Sequence, residues 1–195
     1  MLQIDPETGL CLGVLQSPSP NYNDRPENTV IDLLVIHNIS LPPGEFGGSY
    51  IDAFFTNVLD SALHPYFAEI AEMKVSSHCL IRRQGEIIQY VPFTKRAWHC
   101  GASYYAGRTD CNDFSIGIEL EGTDMIPYTE EQYWNLAALV VLLQQVYPAI
   151  TEDRIVGHSM IAPERKTDPG PAFDWDFFRA MLTFHASEKP KLKEM

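Results

Sequence analysis

Apolar runs with few interruptions are the strongest pattern along this chain. Residues 31–37, 114–120 and 155–158 are of this kind, which is typical of strands covered on both faces of a sheet. Two further apolar segments, 77–82 and 86–91, flank a Gln-Gly pair, and this arrangement predicts a β-hairpin. Together these runs predict one central sheet.

Apolar residues spaced three or four positions apart predict helices between the strands. Ser49 is placed to cap a helix that ends near residue 59. Thr129 starts a capping box that opens the strongest predicted helix, which ends before a proline about eighteen residues on. Asp174 is expected to cap a last amphipathic helix, and residues 188–195 are expected to fray.

Three segments lack a regular pattern and are predicted to be loops. Residues 15–29 are rich in Ser, Pro and Asn, residues 41–48 contain two prolines and three glycines, and residues 95–108 are dense in aromatic groups. Strands and helices mixed in this order predict an α/β (α+β) fold, with helices packed on a central mixed sheet. At 195 residues the chain is expected to be a single domain, with its core over about 10–184.

Composition and charge narrow the possible partners. The net charge of −12 argues against a nucleic-acid surface and against a polybasic membrane anchor. The N-terminus does not have the pattern of a signal peptide, and the longest aliphatic run, 136–143, is too short to cross a bilayer. The cysteines form no C-x-x-C pair, which indicates a cytoplasmic protein with reduced thiols; they are Cys11, Cys79, Cys100 and Cys111.

Two histidines and one aspartate form a candidate zinc site. His37 ends one predicted strand, His158 ends another, and Asp168 precedes a proline, which holds its backbone extended. A catalytic zinc takes three such ligands and keeps a further position open for water. The alternative is that both histidines are ordinary strand-end residues and Asp168 merely begins a Pro-Gly turn.

Glu119 and Lys166 are candidates for the accompanying chemistry. Glu119 lies in an apolar strand, where burial would raise its pKa toward the range of a general base. If that strand alternates, Gly117 shares its face and leaves room for a substrate. Lys166, two residues before Asp168, could stabilise an oxyanion. The alternatives are a glutamate at the sheet rim and a solvated loop lysine.

Six segments, taken together and in their order along the chain, resemble the motifs of one family. The segments are 35–38, 77–81, 98–101, 111–122, 156–158 and 165–171. Through them the chain is similar to the zinc-dependent N-acetylmuramoyl-L-alanine amidases, and within these to the cytoplasmic enzymes that act on 1,6-anhydro muropeptides. The resemblance implies the central mixed sheet that phage amidases and peptidoglycan recognition proteins share.

This resemblance implies a role for each candidate. His37, His158 and Asp168 match the ligands of one zinc ion per chain, Glu119 matches the residue that activates water, and Lys166 matches the residue that stabilises the oxyanion. The implied substrate is a muropeptide with a 1,6-anhydro-N-acetylmuramic acid, cut between its lactyl group and L-Ala. The implied setting is peptidoglycan recycling in the cytoplasm, and loss of such an enzyme is expected to derepress an inducible β-lactamase.

Substrate contacts are expected from four further residues. Asn38 could hydrogen-bond the sugar or peptide, and Trp98 offers a flat face to a sugar ring. Lys74 and Arg108 could hold the peptide carboxylates. Several relatives have an arginine where this chain has Asp110. Either Arg108 substitutes for that arginine, or peptide recognition is weaker in this chain. Nothing in the sequence requires more than a monomer.

Two other functions compete with the cytoplasmic amidase. Some peptidoglycan recognition proteins keep the fold without the metal ligands and only bind muropeptides. A periplasmic amidase that trims intact cell wall is the other possibility. The complete set of ligands, together with Glu119 and Lys166, favours catalysis, and the apparent lack of an export signal favours the cytoplasm.

Overall fold

The fold is described from a computed structural model, which covers residues 2–188. Within these residues there are twelve short or medium strands, five α-helices and two 3-10 turns, at Cys111–Asp113 and Glu152–Arg154. The strands are β1 (Gln3–Ile4), β2 (Cys11–Leu12), β3 (Leu15–Gln16), β4 (Tyr22–Asn23), β5 (Leu33–Ile39), β6 (Cys79–Ile81), β7 (Ile87–Gln89), β8 (Arg96–Ala97), β9 (Tyr104–Tyr105), β10 (Arg108–Thr109), β11 (Ser115–Glu121) and β12 (Ile155–Gly157). The helices are α1 (Tyr50–Phe55), α2 (Pro65–Ile70), α3 (Glu130–Val146), α4 (His158–Ile161) and α5 (Trp175–Ser187).

The central sheet has six strands in the order β12-β5-β11-β6-β7-β3. Strands β12, β5, β11 and β6 are parallel, whereas β6 and β7 pair antiparallel as the predicted hairpin. This mixed sheet with flanking helices confirms the predicted α/β (α+β) fold class. Because β12, β5 and β11 are parallel, their carboxyl ends lie at the same edge of the sheet, and polar residues predicted for the site lie there.

The two faces of the sheet have different partners. Helices α3 and α5 pack on one face against alternate residues of the two central strands, which are Leu34, Ile36, Ile116, Ile118 and Leu120. Side chains alternate along a strand, so Leu33, Val35 and His37 point to the opposite face. There the first two pack with Cys100, Cys111 and Phe114. The site is therefore built on the face that α3 and α5 do not cover.

The predicted caps of the two long helices are present. The Thr129 hydroxyl accepts from the Gln132 amide at 3.2 Å, and the Gln132 side chain accepts from the Thr129 amide at 3.1 Å. The Asp174 carboxylate accepts from the Phe177 amide at 2.8 Å. Each such cap stabilises the helix by about 1 kcal/mol, which fixes where α3 and α5 begin.

Several local predictions differ from the structure. Helix α1 ends four residues earlier than predicted, and Ser49 makes no side-chain hydrogen bond to it. Helix α2 was not predicted, although His64 caps it through its Nδ1 and Pro65 occupies its first turn. The predicted loop 15–29 contains the short strands β3 and β4. Of the tail predicted to fray, all but Glu188 lies outside the described residues.

His158 is the correction that bears on the site. It does not end strand β12 but is the first residue of α4, directly after Gly157. Position 157 requires glycine, because a Cβ there would lie 2.7 Å from the Pro169 ring. The close approach brings the segment that holds Asp168 against the start of α4. Among the residues that the structure covers, no helix is long and apolar enough to span a membrane.

Candidate active site

Three predicted metal ligands converge at the carboxyl edge of the sheet. His37 Nδ1 and His158 Nδ1 lie 2.9 Å apart, and each lies 3.1 Å from Asp168 Oδ2. All three side chains are buried. They form a group of donor atoms within 4.8 Å of one another that could hold a metal ion.

The hydrogen-bond partners of the two outer nitrogens, His37 Nε2 and His158 Nε2, show that each Nδ1 can direct a lone pair at the cluster. His158 Nε2 lies 3.0 Å from the Cys100 carbonyl, to which it can only donate. His37 Nε2 lies 2.9 Å from His99 Nδ1. With a proton on each Nε2, both Nδ1 atoms carry a lone pair directed at the same point as a carboxylate oxygen. Two neutral imidazoles and a carboxylate fit a divalent cation such as zinc.

The protonation of His37 and Asp168 agrees with that fit. Burial lowers the pKa of His37 to about 4, so the ring is neutral near pH 7. For Asp168, burial alone would raise the pKa, but hydrogen bonds with His158 and His37 outweigh it and hold the pKa below its usual range. His37 and Asp168 therefore present the neutral ring and the ionised carboxylate that metal binding requires.

Glu119 lies beside this cluster on the neighbouring strand. The register of β5 and β11 places it opposite His37. Its side chain is buried, and its Oε2 has no hydrogen-bond partner in the described part of the chain. Burial raises its pKa well above the usual value, the charge of Asp168 raises it further, and Lys166 acts in the opposite direction. A carboxyl group in this setting is suited to general base work near neutral pH.

A cavity of about 660 Å³ joins these groups. The three ligands, Glu119 and Lys166 all line it. One wall is apolar and comes mainly from α1, α2 and the segments beside them: Leu41, Phe54, Phe55, Tyr66, Ile70, Met73 and Val75. A second part of the lining, the polar wall, contains Asp124, Arg165, Lys166 and Thr167. The arrangement can hold a ligand that is partly apolar and partly anionic.

Two of the four predicted substrate contacts line the cavity. Asn38 does so while its Nδ2 donates to Asp124 Oδ1 at 2.8 Å and to the Pro169 carbonyl at 3.1 Å. Trp98 does so while its Nε1 donates to Asn23 Oδ1 at 2.7 Å. Asn38 therefore also braces the turn after Asp168.

The other two lie outside the cavity lining. Arg108 donates to both carboxylate oxygens of Asp32 at 2.8 Å, and its guanidinium lies 3.7 Å from the centre of the Phe114 ring. Lys74 is exposed, between two residues that do line the cavity. The cations of the lining are instead Arg165 and Lys166.

His99 occupies the space that we expected a substrate to fill above Gly117. A Cβ at position 117 would lie 2.4 Å from His99 Nδ1 and 2.5 Å from its Cγ. The glycine therefore makes room for an imidazole that contacts a metal-ligand candidate. Sequence reasoning left His99 without a partner, and a glycine inside a buried strand was the signal that another group approaches the backbone.

Arg165 was also missed as a site residue. Its guanidinium donates to the Cys100 carbonyl at 2.6 Å and to the Ala102 carbonyl at 2.9 Å. These bonds connect the segment that carries Lys166 and Asp168 with the loop after His99. Its position immediately before Lys166 in a Pro-rich turn was the available signal.

Comparison with known proteins agrees with this geometry. The profile of the Amidase_2 family, N-acetylmuramoyl-L-alanine amidase, matches residues 27–171. The chain belongs to the N-acetylmuramoyl-L-alanine amidase family. This confirms the resemblance seen in the sequence and identifies the chain as an enzyme, an amidase.

Related amidases match over nearly the whole chain. The 1,6-anhydro-N-acetylmuramyl-L-alanine amidase AmpD of Salmonella typhimurium (strain SL1344) is 59% identical over 184 residues, covering 94% of this chain and 98% of the relative. AmpD of Escherichia coli (strain K12) is 60% identical over 177 residues, covering 91% and 96%. The high coverage of both chains makes AmpD a close relative of this amidase.

Solved structures of related amidases have the same fold as this chain. A crystal structure of a selenomethionine derivative of AmpD matches with a TM-score of 0.89 at 60% identity, covering 92% of this chain and 98% of that one. The amidase AmiD of E. coli, in complex with the substrate anhydro-N-acetylmuramic acid-L-Ala-D-γ-Glu-L-Lys, matches with a TM-score of 0.57 at 30% identity, covering 80% and 60%. The fold of this chain is that of the amidase family.

Proposed function

We propose that this amidase is zinc-dependent and hydrolyses the bond between the lactyl group of 1,6-anhydro-N-acetylmuramic acid and L-Ala. The observation that carries the proposal is the convergence of three metal-type donor atoms with a buried, unpartnered carboxyl group in one cavity. The anhydro substrate is supported by the names of the relatives, which act on 1,6-anhydro-N-acetylmuramyl-L-alanine. Structures of AmiD and of AmpDh3 from Pseudomonas aeruginosa with anhydromuramic peptides give further support.

His37, His158 and Asp168 would hold the zinc ion through the donor atoms that converge in the cluster. Bound zinc supplies the positive charge that acidifies an attacking water and polarises the scissile carbonyl. The hydrogen bonds at the outer nitrogens hold the two imidazole rings in one tautomer and one orientation. Because the cluster is buried, the ligands are fixed before a substrate arrives.

Glu119 takes up a proton from the attacking water at its free Oε2. Its raised pKa makes it a strong enough base for this step and, once protonated, a donor to the leaving amine of L-Ala. Lys166, on the wall of the same cavity, places its ammonium near the oxygen of the scissile carbonyl, where negative charge develops. The two side chains thus divide proton transfer and charge stabilisation between them.

Binding of the muropeptide follows from the two walls of the cavity. Trp98 and the apolar wall can cover the sugar and the lactyl methyl group, since flat apolar surfaces favour sugar faces. The carboxylates of the stem peptide require cations, and Arg165 lies on the polar wall with Lys166. Arg165 is therefore a better placed carboxylate contact than Arg108, whose guanidinium is paired with Asp32.

The proposed setting is recycling of peptidoglycan fragments in the cytoplasm by a monomer. Released stem peptide would be available for reuse, and loss of the enzyme would leave muropeptides that derepress an inducible β-lactamase. In a host that carries such a β-lactamase, deletion of this protein should raise β-lactamase activity. Wild-type protein should restore repression and Asp168→Ala should not.

Hydrolysis of anhydro-muramyl tripeptide, with zinc content measured on the same samples, tests the chemistry. Wild type should hold one zinc per chain and release tripeptide, while Asp168→Ala should lose both properties. Asp176→Ala is the matched control, because Asp176 is an exposed residue of α5 and its loss should change neither. A wild type that binds zinc and muropeptide but releases no peptide would instead be a recognition module.

A further inference from the structure

The two histidine ligands depend on residues that are adjacent in sequence. His37 Nε2 lies 2.9 Å from His99 Nδ1, and His158 Nε2 lies 3.0 Å from the carbonyl oxygen of Cys100. Since His37 must keep its Nδ1 lone pair for a metal, its proton is on Nε2 and His99 Nδ1 accepts it. One dipeptide, His99–Cys100, therefore provides the acceptors for both rings.

The dipeptide is itself held by one side chain. Asn112 Oδ1 accepts from the His99 amide at 3.0 Å and from the Cys100 amide at 2.8 Å. Asn112 is buried in the 3-10 turn Cys111–Asp113, which Phe114 joins to β11. The Arg25 guanidinium donates to the Asn112 carbonyl at 3.0 Å and so fixes the turn in its place.

The far side of the His99 ring is fixed as well. With Nδ1 as the acceptor, His99 Nε2 is the donor, and Ser115 Oγ lies 3.3 Å from it. The ring lies against Gly117, which leaves it no space to move toward β11. The backbone position and the ring position of His99 are thus set by neighbours outside the metal cluster.

We propose that Asn112 is a positioning residue of the metal centre, which orients His37 and His158 together by fixing the backbone of His99 and Cys100. The inference rests on the metal site of the proposed function. Within residues 2–188, Asn112 makes no hydrogen bond to His37, His158 or Asp168, so it acts through two hydrogen-bonded steps. Outer partners of this kind typically change metal affinity by about 10- to 100-fold when they are removed.

Two substitutions test the accepting oxygen of Asn112 apart from the rest of its side chain. Asn112→Ala removes the oxygen that both amides require, and we expect zinc affinity about 10-fold lower. Asn112→Asp keeps the accepting oxygen at the same position. It exchanges only Nδ2 for an oxygen, and Nδ2 makes no hydrogen bond to the described residues. We therefore expect Asn112→Asp to retain zinc affinity within about threefold of wild type. If the alanine variant does not fold, Asn112→Ser serves, because its hydroxyl is too short to reach both amides.

The experiment is a competition titration of the full chain with Zn²⁺ and a chromophoric chelator. Urea denaturation of each metal-free protein is measured beside it. Asp168→Ala tests the metal site itself and should lose zinc binding. A merely structural role for Asn112 would lower the stability of the metal-free protein and leave the zinc affinity of the folded protein unchanged.

The outcomes are distinct. The inference is supported if zinc affinity falls with Asn112→Ala and returns with Asn112→Asp. It is overturned if Asn112→Ala binds zinc like wild type, or if Asn112→Asp is as weak as the alanine variant. If wild type and Asp168→Ala bind zinc equally, the proposed metal site fails first, and the positioning role fails with it.

Discussion

Replacing Gly117 with alanine should damage the metal centre through a residue that is not a ligand. The added Cβ would lie 2.4 Å from His99 Nδ1, whereas ordinary contact begins at 3.4 Å. The imidazole must therefore move by about 1 Å. A shift of that size can take its 2.9 Å hydrogen bond with His37 beyond the roughly 3.2 Å limit of a normal bond.

Two effects of known size should follow. Crowding of a packed site by one methyl group costs about 1–3 kcal/mol of unfolding free energy. Loss of the acceptor for His37 Nε2 leaves a buried N–H without a partner, and the ligand ring is then free to turn. Zinc affinity should fall by about 10- to 100-fold, the range expected for an outer partner of a histidine ligand.

Urea denaturation of the metal-free protein and zinc competition measure the two effects separately. Gly85→Ala is a suitable control, because Gly85 has φ +82° and its Cβ would lie 2.5 Å from Asn135 Nδ2, at the hairpin turn. This variant should also lose stability but keep its zinc affinity. The reasoning is refuted if Gly117→Ala binds zinc as tightly as wild type, or if Gly85→Ala loses as much affinity.

Three further predictions concern the chemistry, the pH response and the substrate. Glu119→Gln should keep its zinc, as measured by metal analysis, and lose about 10²- to 10⁴-fold in the rate of tripeptide release. A variant that stays active would show that Glu119 is not the general base. Burial lowers the pKa of His78 to about 3, so the unfolded chain binds the extra proton first. Between about pH 6.5 and about pH 3, the metal-free protein should therefore lose up to about 1.4 kcal/mol of unfolding free energy per pH unit from this group. The unfolding free energy of His78→Gln, measured by urea denaturation, should fall less steeply as the pH is lowered; an unchanged slope would contradict this. Arg108→Ala should keep KM within about twofold of the wild-type value, because the Arg108 guanidinium is paired with Asp32. A large rise in KM would show that Arg108 contacts the substrate.

The sequence was sufficient for the sheet and the long helices because their signals are local. The apolar runs at β5 and β11 and the capping box at Thr129 are each contained within a few residues. Short elements such as α1 and β8 were mispredicted because their ends depend on tertiary contacts. Helix α2 had a usable signal in Pro65, which is common in the first turn of a helix.

The candidate site divides in the same way. The resemblance selected His37, His158 and Asp168, and the structure brings them together. The supporting residues could not be found from spacing, because His99 and Asn112 contact the site through hydrogen bonds between segments remote from it in sequence. Arg108 was expected at the substrate from its charge and its position two residues before Asp110, and neither shows that Asp32 is its partner.

The wide spacing of the ligands along the chain has a consequence for synthesis in the cell. His37 and Asp168 are separated by 131 positions, so Asp168 is translated only after all six strands of the central sheet. A chain that stops before residue 168 contains the sequence of every strand of that sheet but lacks the last of the three candidate ligands. Frameshift and nonsense mutations between β12 and residue 168 are therefore expected to yield a chain that cannot complete the proposed zinc site.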